Sequence, residues 1–263
     1  MKEQQKKYEL TDEFIEHWSG KKLYRIRALV TFGSVVVGQL GGFVESEKNL
    51  DQSLLGNAWV YGDAWVSGDA QVSGDARVYG DAQVSGNAQV YGDAQVSGNA
   101  QVSGNAQVSG NAQVSGNAQV YGNARVYGNA RVYGNAWVSG DAQVYGNAQV
   151  SGNAQVSGNA QVSGNAQVYG DARVYGDASV RSYAIISDKK MIFWASNVGS
   201  ENGTLTVFNG KGGLIVTRGC FTGTVDEFLS KSAKVHDDKT KNEYKLLIEV
   251  AKSRILGVKD ERN

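Results

Sequence analysis

The sequence predicts an all-β solenoid, and three observations support that prediction. From Gly56 to Arg181 the chain is a run of 21 six-residue repeats without an insertion, which begins GNAWVY and ends GDASVR. Glycine fills the first position of every repeat, alanine the third and valine the fifth. The chain contains no proline, which suits a structure whose backbone amides are all needed for strand ladders.

Each part of the repeat predicts one element of a coil. The alanine and the valine lie two residues apart, so they point to the same side of a short strand and form a narrow core. The Gly-Asn or Gly-Asp pair indicates a corner, because these residues tolerate left-handed backbone angles. Three corners bring the chain back above its start, so 18 residues predict one triangular coil and the repeat predicts about 7 coils. Glutamine, the commonest residue at the fourth position of the repeat, is expected to form amide ladders on the outer surface of the coils.

The spacing of valine and alanine also carries a resemblance. Val60-Tyr-Gly-Asp-Ala64, in which a small residue follows an aliphatic one by four positions, recurs throughout. It resembles the left-handed parallel β-helix of hexapeptide-repeat proteins. The left hand is implied by the resemblance alone, because right-handed crossovers are the general preference.

Many members of that family are acyltransferases, in which a histidine, often on a loop extruded from the coils, acts as the base. The repeat here has no extruded loop and no His, Cys, Lys or Glu. The two histidines, His17 and His236, lie in the end segments. The regular Asp residues lack the GGxGxD pattern of calcium-binding repeats. The sequence therefore predicts a protein that is not an enzyme and has neither a cofactor nor a metal site.

Large outward side chains cluster in the middle of the repeat. Because neighbouring repeats lie on different faces, these side chains are expected to form a belt around the prism. The belt comprises Tyr121, Arg125, Tyr127, Arg131, Tyr133, Trp137 and Tyr145. Tyrosine, tryptophan and arginine are frequent interface anchors, but aromatic residues also favour strands, so a binding belt and a purely structural one both remain open.

The two ends predict separate units. Residues 1–55 are expected to form a small N-terminal β cap, with a degenerate first coil near residues 35–44. Residues 182–263 are expected to form a C-terminal α+β domain, with strands near 190–195, 204–208 and 214–217. Its first helix begins at a capping box of Thr224 and Glu227, and the second spans about residues 241–256. Cys220 is expected to be a small buried strand residue.

Charge and composition limit the partners. The chain has 26 basic and 26 acidic residues, and the repeat and the tail carry only −3 and +3, so nucleic acid is not an expected partner. A single cysteine favours a reducing compartment. No apolar run of 18 residues and no signal peptide are seen, so the expected location is the cytoplasm, without a membrane.

The end segments carry a second resemblance. "KLYRIRAL", "VGSENGTLTVF" and "RGCFTGTVDEF" resemble segments of phage and prophage proteins labelled polymer-forming. This resemblance implies a phage-encoded protein in a bacterial host cell or in a virion. The resulting hypothesis is a non-enzymatic β-helix scaffold that binds a host or phage protein, in its sharper form an inhibitor of a bacterial defence system. The alternatives are a structural virion or filament component and, less favoured, an acyltransferase.

Partner specificity is assigned to the tail, because the repeat surface is too uniform to discriminate between partners. The candidate loops span residues 197–203 and 209–213, and the candidate residues are Asn197, Asn202, Asn209, Lys211 and Arg218. The alternative left open is that the tail is only a cap or a trimerisation element. A homo-oligomer, dimeric or trimeric, is compatible with either hypothesis.

Overall fold

The computed structural model describes residues 5–257. It is a parallel β-solenoid of about eight turns, preceded by an antiparallel β unit and followed by a small antiparallel sheet with two helices. This architecture confirms the predicted fold class.

The solenoid strands, β4 to β25 in chain order, have two residues each and stack into three parallel faces. Face 1 consists of Trp59–Val60, Arg77–Val78, Gln95–Val96, Gln113–Val114, Arg131–Val132, Gln149–Val150, Gln167–Val168 and Ile185–Ile186. Face 2 consists of Trp65–Val66, Gln83–Val84, Gln101–Val102, Gln119–Val120, Trp137–Val138, Gln155–Val156 and Arg173–Val174. Face 3 consists of Gln71–Val72, Gln89–Val90, Gln107–Val108, Arg125–Val126, Gln143–Val144, Gln161–Val162 and Ser179–Val180. Strands 18 residues apart pair in register, which confirms the triangular coil.

The core is a column of small apolar side chains. The alanine and the valine of every repeat are buried, while the residue between them is on the outer surface, except for Trp59 of the first repeat, which is fully buried against Tyr8 and Phe32. Amides at the second, fourth and sixth positions donate to carbonyls at the first, third and fifth positions of the next coil. Asn105, Gln107 and Ser109 illustrate this pattern, with distances of 2.7, 2.9 and 2.9 Å.

The corners differ from the prediction in one respect. From Gly62 to Gly176 the first glycine of each repeat has a positive φ, which is +69° at Gly116. A side chain would not fit there, because an added Cβ at Gly116 would lie 3.0 Å from the amide nitrogen of Gly134. The Asn and Asp residues that follow do not have a positive φ. The expectation that they adopt left-handed angles is therefore wrong, because the glycine alone makes the turn.

The Asn side chains form the amide ladders instead. Twelve of them donate from Nδ2 to the Oδ1 of the corner residue in the next coil, as Asn117 does to Asn135 at 3.0 Å. Four of the five ladders stop at an Asp, since a carboxylate accepts but cannot donate onward, and the fifth ends at Asn165. Among the described residues three outward Gln side chains, those of Gln95, Gln143 and Gln149, accept from a tyrosine hydroxyl, as Gln143 does from Tyr127 at 3.2 Å, and no Gln bonds to another Gln. The amide ladder predicted for the faces thus lies at the corners.

The N-terminal unit is an antiparallel extension of face 2. Its strands are β1 (Tyr8–Glu16), β2 (Lys22–Ala28) and β3 (Leu40–Val44). β3 pairs in parallel with Trp65–Val66, and Leu50 bridges to Val72 of face 3, so this segment forms a degenerate first coil.

Donors from this unit meet the open carbonyls of the first regular coil. Lys7 Nζ lies 3.4 Å from the carbonyl oxygen of Gly56 and 3.2 Å from that of Ala58. Asn49 Nδ2 donates to Gly68 and Ala70, both at 2.9 Å. At the remaining corner, Arg25 Nη1 lies 3.3 Å from the carbonyl oxygen of Gly62, and Phe43 donates its amide to Ala64 at 2.9 Å.

The last coil extends six residues past the boundary that the repeat pattern predicts. Ser182 has the positive φ of the missing glycine, 62°, and Ala184 and Ile186 are buried where alanine and valine would be. The strand Ile185–Ile186 pairs with Gln167–Val168 of face 1. The segment SYAIIS therefore continues the solenoid, although it keeps only the alanine of the repeat.

The C-terminal domain has four antiparallel strands and two helices. These are β26 (Ile192–Val198), β27 (Gly203–Gly210), β28 (Gly213–Arg218), β29 (Phe221–Thr224), α1 (Val225–Val235) and α2 (Asp238–Leu256). The capping box of Thr224 and Glu227 is present. Tyr244, Ile248 and Ala251 are buried against the sheet in a core separate from that of the solenoid. The predicted α+β unit is confirmed.

One residue of this domain contradicts the prediction. Cys220 is exposed, because Gly219 and Cys220 form the turn between β28 and β29, where Arg218 pairs with Phe221. Gly219 has a φ of +57°, which marks the tight turn that the sequence interpretation overlooked.

Candidate functional site

The C-terminal domain is fixed to the last coil by hydrogen bonds from one side of its sheet. Thr206 Oγ1 accepts from the amide of Ser179 at 3.0 Å, and Thr217 Oγ1 donates to the carbonyl of Ser179 at 2.6 Å. Phe208 and Ile192 complete the apolar column of the solenoid. Because both polar and apolar contacts join the two parts, the sheet continues the solenoid rather than hanging from a linker.

Two of the candidate residues in the tail contribute to this attachment. Asn209 Nδ2 donates to the carbonyl of Ile185 at 3.1 Å, and the amide of Lys211 donates to the carbonyl of Tyr183 at 3.0 Å. The Asn209 side chain therefore serves the junction, while the Lys211 side chain is exposed beside it.

Asn197 and Asn202 lie elsewhere, near the end of β26 and in the loop before β27. Both have left-handed backbone angles, with φ of 59° and 48°. They line a cleft of about 580 Å³ whose other wall is the start of α2, including Asn242 and Leu246. Glu243 Oε2 accepts from the amide of Gly199 at 3.0 Å and holds the loop against the helix. Most residues that line this cleft are polar, and α2, which forms one wall, packs in the second core and not against the solenoid.

Arg218 is engaged within the domain. Its Nε donates to the Tyr244 hydroxyl at 3.1 Å and its Nη2 to the carbonyl of Val198 at 3.2 Å. It lines a smaller pocket of about 280 Å³ together with Cys220, His236 and the buried Ser232. We therefore regard Arg218 as a residue that orders the β26–β27 loop.

The aromatic belt is present on all three faces. Arg131 lies on face 1, Trp137 on face 2 and Arg125 on face 3. Tyr127 stacks on Tyr145 with ring centroids 5.0 Å apart, and Tyr121 meets Trp137 edge-on at 6.4 Å. Tyr133 donates to Gln149 at 3.4 Å. These vertical contacts stabilise neighbouring coils, and they leave Trp137 42% exposed.

A third cavity was missed by the sequence interpretation. It is a groove of about 690 Å³ where face 2 meets the C-terminal domain, and it brings together Arg173, Lys189, Lys190 and Arg254. Arg173 and Arg254 come from a solenoid strand and from the last turn of α2. No periodicity or motif connects positions so far apart in sequence, so a sequence pattern cannot reveal the groove.

Neither a metal centre nor a membrane span is found in the described part of the chain. Residues 5–257 contain no cluster of three His, Cys, Asp or Glu side chains that could hold a metal ion. Neither α1 nor α2 has a sufficiently long apolar stretch to cross a membrane. His17 contacts Trp65 at the N-terminal end, whereas His236 follows α1 at the opposite end.

The fold defines a β-solenoid repeat protein with a docked terminal domain. Twelve segments between residues 70 and 182 match the family model described as the YdcK beta solenoid repeat. The matched segments fall within the regular coils and the start of the last repeat, so the similarity concerns the repeat and not the end units. No curated protein matches the chain.

Proposed function

We propose that the protein is a non-enzymatic scaffold, in which a rigid solenoid holds a C-terminal recognition domain for a macromolecular partner, most simply another protein. One observation carries the proposal: the domain is joined to the last coil through backbone and side-chain bonds, while the cleft lined by Asn197 and Asn202 stays open on its other side. A binding surface fixed in this way has little orientational freedom to lose on association.

The composition of the repeat also supports a scaffold role for the solenoid and a recognition role for the C-terminal domain. Glutamine occupies 13 of the 21 outward fourth positions, so most of the solenoid surface is the same in every coil. Uniform surfaces discriminate poorly between partners, whereas varied loops discriminate well. The capped ends also disfavour the alternative of a filament built by end-to-end stacking of coils.

The narrower form of the proposal is a phage-encoded inhibitor of a bacterial defence system. It rests on the resemblance of the end segments to phage and prophage proteins. The left hand of the helix likewise rests on the resemblance to hexapeptide-repeat proteins.

The test is a pull-down from bacterial lysate with the tagged full-length chain and two surface variants. Leu246→Arg alters the open cleft, where this side chain is 53% exposed, and Trp137→Arg alters the belt at a residue of comparable exposure. We expect a specific partner to be lost with Leu246→Arg and retained with Trp137→Arg. The reverse result would move the binding surface to the belt, and thermal melts of both variants control for folding.

A further inference from the structure

The groove at the end of face 2 is lined by basic side chains. Arg173, Lys189, Lys190 and Arg254 line it, and no acidic side chain does. Its remaining walls include the rings of Tyr175, Phe193 and Trp194. The carboxylate of Asp188 is adjacent in sequence, where it accepts from the Lys190 amide at 2.7 Å, so four cations face one nearby carboxylate and the local potential is positive and attracts anions.

The backbone adds donors at the same place. In the regular coils the amides at the fourth and sixth positions donate to the next coil, and in the last coil of face 2 these positions are Arg173 and Tyr175. The strand Arg173–Val174 is the last of its sheet and pairs only with Gln155–Val156. Within residues 5–257 neither amide has a hydrogen-bond acceptor, so both are available to a ligand.

The other two faces lack this opening. Face 3 ends at Ser179, whose amide and carbonyl are bonded to Thr206 and Thr217, and face 1 ends at Ile185, whose carbonyl accepts from Asn209. The C-terminal domain thus covers two faces and leaves the third as one wall of the groove.

The aromatic side chains narrow the ligand class. Trp194 meets Tyr175 edge-on with ring centroids 4.1 Å apart, and Tyr175 is 51% exposed. Trp194 also lies over the Gly176 corner, where an added Cβ would come within 3.1 Å of its Nε1. A fixed aromatic pair beside clustered cations combines a stacking surface with phosphate contacts, as single-stranded nucleic-acid sites do.

We propose that this groove binds a phosphate-bearing ligand with a planar ring, namely a nucleotide, either free or within a single strand. The volume of about 690 Å³ is in the range of small-ligand sites. The phosphates contact the four cations and the two open amides, and the ring stacks on Tyr175. The weak net charge of the whole chain does not oppose this, because binding depends on the local field. The groove is separate from the cleft proposed above for the macromolecular partner.

The experiment measures anisotropy of a fluorescein-labelled ten-nucleotide oligothymidine with the full-length chain at about 50 and 200 mM NaCl. Lys189→Glu/Lys190→Glu reverses two charges of the groove. Lys234→Glu/Lys245→Glu makes the same change in total charge on exposed helix positions outside it. We expect the groove variant to bind at least about 20-fold more weakly and the control to change by less than about 3-fold, with the affinity falling at the higher salt. Equal losses in the two variants would overturn the proposal.

Competition identifies the source of the nucleotide. Displacement of the probe by ATP or AMP assigns a free nucleotide, and displacement only by unlabelled oligothymidine assigns a strand. Tyr175→Ala, at an exposed ring, is expected to weaken binding by about 5-fold or more through lost stacking. Absence of binding at the lower salt, or equal displacement by inorganic phosphate and by ATP, would contradict the proposal. None of these outcomes affects the pull-down with Leu246→Arg.

Discussion

The two ends of the solenoid are closed by different chemistry. The first coil presents carbonyl groups that have no coil before them, and the N-terminal unit meets them with donors from Lys7, Arg25 and Asn49. The last coil presents amides as well as carbonyls, and the C-terminal domain meets them with Thr206, which accepts, and Thr217, which donates.

The difference follows from the direction of the parallel ladder. Because the amides at the second, fourth and sixth positions donate toward the C-terminal end, the first coil presents mainly carbonyls and the last coil mainly amides. The ammonium of a long lysine side chain only donates and therefore suits the carbonyls of the first coil. A threonine hydroxyl can donate or accept and therefore suits the last coil, which presents both amides and carbonyls. Closing the N-terminal end requires burial of the Lys7 ammonium, and this burial disfavours the charged form and lowers the pKa of Lys7. The comparison teaches that the two caps are not interchangeable.

The largest effect is expected in the coils that join the two ends. Val114 is fully buried and Gln113, one residue earlier, points outward. Val114→Asp places a carboxylate in the apolar column and should lower the free energy of unfolding by about 4 kcal/mol or more. Gln113→Lys should be nearly neutral. Equal destabilisation in a denaturant melt would show that the inward and outward positions are misassigned.

The N-terminal cap should be the more sensitive of the two ends. Lys7→Met removes the donor of two carbonyls and should cost about 2 kcal/mol, with end-to-end association seen by light scattering. Lys6→Met is the control, because Lys6 makes only an exposed ion pair with Glu47 at 2.8 Å. If both variants melt and scatter alike, the cap does not depend on Lys7.

A smaller decrease in the free energy of unfolding is expected at the C-terminal end. Thr206→Val keeps the shape of a fully buried side chain but leaves the Ser179 amide without its acceptor, which should cost about 1 kcal/mol. Thr222→Val makes the same change at an exposed position of β29 and should have no effect on the melt. A larger loss than that of Lys7→Met would reverse the order of the two ends.

The smallest effect concerns the corner ladders that run between the ends. Asn117 accepts from Asn99 and donates to Asn135, so Asn117→Asp breaks one link and should cost about 0.5 kcal/mol at this exposed site. Asn165 accepts from Asn147 but is followed by Tyr183 in the next coil, so Asn165→Asp removes no donation within the ladder. Thermal melts should distinguish the two, and identical melting temperatures would mean that the ladder adds nothing.

The sequence alone determined the solenoid, because a strict period of six fixes which residues point inward. Ala and Val could be assigned to the core, three faces could be written out, and the capping box at Thr224 could be located. Each of these depends on residues close in sequence or at a constant interval, which a pattern can reveal. The pattern also predicts a ladder of amide side chains, but it does not separate Asn from Gln, because both residues recur at the repeat interval.

The tertiary structure alone decided the features that join distant residues. Only the fold distinguishes Lys7, whose ammonium contacts the first coil, from Lys6, and Asn209, which bonds to the last coil, from Asn197. The groove likewise unites Arg173 with Arg254, which lie on different elements with no shared period. Such contacts depend on how the chain closes each end of the ladder, and a repeat cannot encode where its own period stops.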